Sequence, residues 1–204
     1  MDSDGKGETA DPAAAEIIGR LIADLSSGDD SRAEAASKAL SDFGTQATSP
    51  LRGLLGSSNA DTRWWTLRSL ASLPNLDVGL LLPSLADSSP AVRQCAALGL
   101  AAHPSEAATP HLVRALSDED SLTAELAGGA LIAVGAAAVP SLLEALKGSP
   151  QAVRIHVVRA LAEIGDTRAI PALIAAAAED SAILHYWAEK GLDKLGVSMV
   201  YLKP

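Results

Sequence analysis

The sequence predicts an all-α fold: a right-handed solenoid, or α-α superhelix, of about six helix pairs. Helix-stopping residues recur at Gly44, Pro74, Pro104, Gly135, Gly165 and Gly196, at intervals of 30, 30, 31, 30 and 31 residues. Recurrence at such a period marks a stacked-repeat architecture. Four residues before each stop stands a leucine: Leu40, Leu70, Leu100, Leu131, Leu161 and Leu192. Apolar residues make up 48% of the 204 and aromatic residues only 3%. The interior is therefore built from Ala, Leu, Val and Ile, which suits closely approaching helices better than a β-sandwich.

Counted back from each stop, positions −12, −8, −5, −4 and −1 share one face of a helix at the 3.6-residue period. The −8 column holds Ala36, Thr66, Ala96, Ala127, Val157 and Ala188, and the −5 column holds Ala39, Ser69, Gly99, Ala130, Ala160 and Gly191. Each second helix thus presents a leucine ridge flanked by small residues, which lets neighbours approach toward the short end of the usual ~8–10 Å. First helices are visible in TSPLRGLLGS, ATPHLVRAL, AVPSLLEALKG and AIPALIAAAAED. Pro50, Pro110, Pro140 and Pro171 mark their starts, because a proline in the first turn loses no intrahelical hydrogen bond. The expected pairs are 13–26 with 31–43, 47–57 with 60–73, 77–86 with 90–102, 106–117 with 121–134, 137–147 with 151–164, and 168–178 with 182–195.

One such pair cannot bury both of its apolar stripes, whereas a stack of six forms a continuous core with contacts only between neighbours. Residues 12–196 are expected to be this solenoid. Residues 1–11, MDSDGKGETAD, read as a disordered polar N-terminus, and residues 197–204, VSMVYLKP, as a tail that caps the last repeat.

A net charge of −9 repels a phosphate backbone, so no nucleic-acid partner is expected. The single cysteine, Cys95, permits no internal disulfide and fits a reducing cytoplasm. The polar, acidic start is the opposite of a secretory signal. Leu126–Pro140, LAGGALIAVGAAAVP, is too short and too rich in Gly and Ala for a membrane span, so no membrane partner is expected either.

The stretch from Val153, VRIHVVRALAEIGDTRAIPALIAAAAED, resembles the HEAT-like repeat of the phycobilisome-lyase type almost position by position, in its VR opening, IGD turn and AIP helix start. SPAVRQCAALGLA around Arg93 and DTRWWTLRSLASLP around Arg63 are weaker copies, and the resemblance covers residues 13–196. It implies an armadillo-like helical fold and a bacterial source. It leaves function open: proteins with these repeats include lyases that attach bilins to phycobiliproteins, an iron hydroxylase acting on a translation factor, and scaffolds without chemistry.

The hydroxylase relatives bind iron through His-Glu dipeptides, because an oxygen-activating iron needs imidazole and carboxylate ligands with open positions. Here His103, His111, His156 and His185 are followed by Pro, Leu, Val and Tyr. His185 and Glu189 are spaced for one helix face and read as a solvated pair. Cys95 shares the −9 column with Ala35, Trp65, Leu126, His156 and Trp187, and reads as a semi-buried structural residue rather than a nucleophile. No phosphate loop, paired catalytic carboxylates or Ser-His-Asp arrangement is present. No catalytic residue, metal ligand set or cofactor is therefore expected. Arg63, Arg93 and Arg154 form a further column, expected to pair with turn carboxylates of neighbouring repeats among Asp61, Asp87, Asp118 and Asp166.

In repeats of this resemblance the second helices line a concave face, with positions −10, −6 and −3 pointing into it. The −10 column reads Glu34, Trp64, Gln94, Glu125, Ile155 and Tyr186, and the −6 column Lys38, Arg68, Leu98, Gly129, Arg159 and Lys190. Leu98, Ala101, Gly129 and Ile132 make an apolar middle with Arg68, Arg159 and Lys190 at its sides, a surface suited to a peptide with apolar anchors and acidic flanks. The leading expectation is a non-catalytic interaction scaffold that binds a protein or peptide through Trp64, Arg68, Gln94, Leu98, Glu125, Ile155, Arg159, Tyr186 and Lys190. The alternative is a bilin-lyase-like subunit whose groove holds a tetrapyrrole. Whether Trp64 and Trp65 face the groove or pack on a neighbouring repeat stays open at this level.

Overall fold

The computed structural model describes residues 12–197, and every regular element among them is helical. They fall into two compact units that divide between Asp77 and Val78. The first contains α1 (Pro12–Leu25), α2 (Asp30–Leu40), α3 (Thr45–Leu54) and α4 (Ala60–Ala71). The second contains α5 (Pro90–Ala102), α6 (Thr109–Ala115), α7 (Ser121–Val134), α8 (Val139–Ala145), α9 (Gln151–Ile164), α10 (Ile170–Ala177) and α11 (Ala182–Lys194). In the first unit α1 packs on α2 and α3 on α4, with α2 against α4. In the second, α5, α7, α9 and α11 pack in succession, and α6, α8 and α10 each cover the second helix that follows.

The leucine column is the core. All six leucines, Leu40, Leu70, Leu100, Leu131, Leu161 and Leu192, are 0% exposed. The small −8 column is buried throughout, and its one hydroxyl, on Thr66, donates to the Thr62 carbonyl at 2.6 Å. Ser69 of the −5 column donates to Ser37 Oγ at 2.9 Å, so these two buried hydroxyls have partners. The starts of α4 and α7 are held by side chains: Asn59 accepts from the Asp61 and Thr62 amides, and Asp120 from the Thr123 amide, satisfying donors that a helix leaves unpaired. The glycine stops work through their backbone. Gly44, Gly135, Gly165 and Gly196 all have φ between 51° and 74°, a region that favours glycine.

Two expectations about the first helices need correcting. Residues 77–86 do not form an α-helix; Val78–Leu80 and Leu82–Ala86 are 3₁₀ segments. Pro83 has no N–H to donate to the carbonyl of Gly79 four residues back, and glycine is a poor helix former. Pro50 does not start its helix but lies inside α3. The buried stripe there begins earlier, with Ala47 and Leu51 both 0% exposed, and it carries the α-conformation back to Thr45. Pro110, Pro140 and Pro171 do occupy first-turn positions, each behind a 3₁₀ lead-in. The expected disorder at 1–11 lies outside the described residues, as does the capping tail beyond Val197.

The helical run Ser121–Ala145 is apolar and long enough to cross a membrane by length and composition alone. Gly135, at φ 72°, divides it into α7 and α8, so it is not one straight helix.

Gly191 shows how closely the small columns bring the helices. A Cβ added there would sit 2.8 Å from both Cα and Cβ of Ala162 on α9, and 3.0 Å from Leu173 Cδ1. Gly191→Ala is therefore expected to destabilise by about 1–3 kcal/mol, the usual cost of overpacking. At Gly128 on α7 the nearest such contact is an ordinary 3.8 Å, and Gly128→Ala should gain up to about 1 kcal/mol from helix propensity. Urea unfolding of the two variants measures the contrast.

Candidate functional site

The second unit carries an outward ridge along α5, α7, α9 and α11, on the side of each helix opposite its leucine. Leu98, Leu122, Ile183 and Tyr186 are the large apolar side chains described as exposed in this unit, and all four lie on that ridge; Tyr186 is 58% exposed. Leu98 and Tyr186 were expected there. Leu122 and Ile183 were not, although their position, −13, is one turn before −10 on the same face. Ile155 and Gln94 are half-buried and Glu125 is exposed.

At the α9–α11 end the Trp187 ring collects the cations. Arg159 lies 5.3 Å and Lys190 4.6 Å from its centroid, and Tyr186 meets it edge-on at 5.1 Å. Both cations are also paired with carboxylates: Arg159 with Glu125 at 3.2 Å, Lys190 with Glu163 at 2.6 Å. The hydrogen bond from Lys190 holds the Glu163 carboxyl below its ordinary range. Burial pushes the His156 imidazole below its usual value and Arg159 pushes the same way, with Glu125 opposing. Gln94 donates to Asp120 at 2.8 Å. The ridge is thus apolar in its middle and internally neutralised at one end.

In the first unit, Trp65 is 9% exposed and Trp64 half-buried. Their rings meet edge-to-face at 4.8 Å, and the Arg68 guanidinium lies 5.6 Å from each centroid. Trp65 Nε1 donates to Asp30 at 3.4 Å, and Arg68 reaches Glu34 at 4.0 Å. These side chains and Asp61 line a recess of about 330 Å3. The two tryptophans therefore divide the roles left open by the sequence: Trp65 packs inward and Trp64 forms part of the recess.

The arginine column behaves as a ladder in the second unit. Arg93 makes two hydrogen bonds to Asp118, at 2.7 and 2.8 Å, and a third to the Asp87 carbonyl at 2.9 Å. Arg154 pairs with Glu179, an acid not foreseen. Its signal is positional: Asp87, Asp118 and Glu179 all stand 17 residues before a stop, and the arginines 11 before. At the middle step both partners are replaced together, by Ala124 and Gly148. Arg63 donates to the Ser57 and Ser58 carbonyls. Asp166 is not a rung. It accepts from the side chain of Arg168 at 2.7 and 2.9 Å and from the Arg168 amide at 2.9 Å, which hold its carboxyl down to about 2. A carboxyl depressed on folding stabilises above its unfolded value near 3.9, and loses that contribution as pH falls toward the folded value. Arg168→Ala should return the Asp166 midpoint toward the ordinary carboxylate range, read by carboxyl-carbon NMR.

His185 Nε2 lies 3.1 Å from Glu189 while Nδ1 faces the Ala177 carbonyl at 2.8 Å. Among the described residues no three His, Cys, Asp or Glu side chains converge as metal ligands. Cys95 is buried on α5.

A family model described as HEAT repeats matches residues 54–132, 77–151 and 123–193. The chain belongs to the HEAT-repeat family. Among curated proteins, the HEAT-repeat chain is 41% identical over 98 residues to a phycocyanobilin lyase subunit beta of Pseudanabaena tenuis, covering 48% of this chain and 34% of that protein. It is 39% identical over 97 residues to the phycocyanobilin lyase subunit beta of Thermosynechococcus vestitus, covering 48% and 45%. The chain thus spans between a third and a half of the length of these relatives. Among solved structures, the complex of CpcE and CpcF of phycocyanin lyase from Nostoc sp. matches with a TM-score of 0.57 and 23% identity, over 72% of this chain and 98% of that one. A designed armadillo repeat protein in complex with the peptide (KR)4 matches at 0.53 and 18%, over 87% and 99%. At these identities the structural likeness is one of fold: a stack of HEAT or armadillo repeats. The curated relatives correct the leading functional expectation. Proteins named as lyase subunits overturn the non-catalytic scaffold and favour the chromophore-handling alternative.

Proposed function

We propose that this HEAT-repeat chain is a bilin-lyase-like subunit that handles a tetrapyrrole chromophore together with a protein partner. The observation that carries the reading is the identity of 41% and 39%, over about half of the chain, to two proteins named phycocyanobilin lyase subunit beta. The ridge of the second unit offers compatible chemistry. A flat conjugated ligand can lie on Leu98, Leu122, Ile155, Ile183 and Tyr186, with Glu125 and Gln94 as polar neighbours. Arg159 and Lys190, beside Trp187, provide cations for its carboxylate side groups, exchanging Glu125 and Glu163 for the ligand. The chain's share of the work is to bind the chromophore, orient it and keep water from one of its faces.

The test is co-expression with a bilin, an acceptor phycobiliprotein and the partner subunit, read as colour that stays on the acceptor after denaturation. A direct titration of the purified chain with bilin should shift the visible spectrum. Arg159→Ala with Lys190→Ala should weaken that binding about tenfold or more, as loss of charged hydrogen bonds does. No spectral shift and no coloured acceptor would sink the proposal.

A further inference from the structure

We infer that the recess beside Trp64 and Trp65 is a receptor for a cationic side chain, a guanidinium or ammonium group carried on a basic segment of a partner polypeptide. The site belongs to the first unit and stands whether or not the second unit binds a bilin.

Three properties of the recess point to that ligand. Its charge is unbalanced: Asp30, Glu34 and Asp61 line it against one cation, Arg68, and among the described residues the carboxylate that Arg68 approaches is Glu34, at 4.0 Å. An anion is repelled by this rim and a second cation is attracted. Its aromatic wall already holds a guanidinium. Arg68 sits 5.6 Å from each indole centroid, within the range of cation–π attraction, for which tryptophan is the best partner. The resident arginine therefore displays the chemistry that the recess accepts, while among the described residues no cation pairs with Asp61, and Asp30 meets only the neutral indole N–H of Trp65. Its size is small. A volume of about 330 Å3 lies at the bottom of the ~300–1,000 Å3 range of small-molecule sites. A free small cation would gain only exposed ring contacts and a few solvent-screened carboxylates, which are weak on their own. Anchoring the cation on a chain supplies the remaining affinity through neighbouring contacts.

The residues that form the recess are placed for this by the fold. Asp30 and Glu34 lie in the first two turns of α2, and Asp61 and Trp64 in those of α4. Packing of α2 on α4 brings the two helix starts together. Trp65, nearly buried, fixes the wall, and its indole N–H is taken up by Asp30 at 3.4 Å.

The probe is a fluorescently labelled peptide rich in arginine and lysine, followed by anisotropy, with N-acetyl-arginine amide as the free-cation competitor. Wild type should bind saturably and more weakly as salt rises. Glu34→Gln with Asp61→Asn, which keep side-chain shape, should weaken binding about tenfold or more, and Trp64→Ala should do likewise. Arg68→Ala should bind at least as tightly as wild type, since it removes the competing cation. Glu106→Gln with Glu144→Gln makes the same charge change on the second unit and should alter affinity by less than about twofold. Equal weakening by the recess and control pairs would reduce the binding to diffuse attraction by the chain's −9 charge and overturn the proposal. Absence of binding by wild type would overturn it too. So would N-acetyl-arginine amide binding as tightly as the peptide, because the ligand would then be a free cation. Circular dichroism confirms that each variant retains its helices, and the shape-preserving pair keeps the test valid if Trp64→Ala unfolds.

Discussion

Leu131→Ala and Leu161→Ala are each expected to lower the free energy of unfolding by roughly 2–5 kcal/mol, the cost of removing a fully buried leucine and leaving a cavity. Both side chains are 0% exposed, on α7 and α9, and within the second unit α5, α7, α9 and α11 each pack on the next. The residues beside them in sequence, Ala130 and Ala160, are small and fully buried, so they offer little side-chain bulk to fill the space. Leu122→Ala is the matched comparison, because Leu122 is 47% exposed on the outward ridge of the same α7. That change should stay within about 0.5 kcal/mol. Urea denaturation separates the two outcomes, and wild-type stability in Leu131→Ala would contradict the leucine core.

Asp118→Ala should be as severe, at about 3–5 kcal/mol, because it strands a buried charge. The side chains of Arg93 and Asp118 are only 7% and 10% exposed, and the carboxylate also accepts from the Asp120 amide at 2.9 Å. Removing Asp118 leaves the guanidinium with the Asp87 carbonyl and the outlying Glu119 at 3.8 Å. Removing both partners should cost much less than the sum of the single changes, because no buried charge is then orphaned. The chain supplies its own precedent at the middle step of the ladder, where Ala124 and Gly148 stand in the arginine and acid positions. Unfolding of Arg93→Ala, Asp118→Ala and the double variant gives the coupling energy directly.

The core was legible in the sequence because its determinants are local and repeated. A leucine four residues before a helix stop faces the same way in every pair, so six copies report one geometry, and all six are buried. Elements that depend on one residue breaking the pattern were harder to read. Gly79 and Pro83 turn an expected α-helix into 3₁₀ segments, and the buried Ala47 pulls a helix start back past Pro50. Side-chain partners on adjacent repeats depend on the register between helices. Glu179 was therefore missed as the mate of Arg154, and the pairing of Arg159 with Glu125 and of Lys190 with Glu163 was not anticipated. The function was least legible. A peptide and a tetrapyrrole make similar demands of an apolar ridge with flanking cations, and neither leaves a short motif. The choice between them came from relatives rather than from spacing.

The opposition of leucine column and outward ridge has an evolutionary consequence. In α7, for example, Leu131, Ala127 and Ala130 answer to folding, while Leu122, Glu125 and Gly129 face solvent. Because the two sets share a helix but hardly share neighbours, recognition and stability are separately heritable. A lineage can exchange one ligand for another through a few surface substitutions, each within about 0.5 kcal/mol of neutral, while the buried columns hold the architecture constant. Stacked repeats of this kind can therefore keep one fold recognisable across proteins whose ligands have little in common.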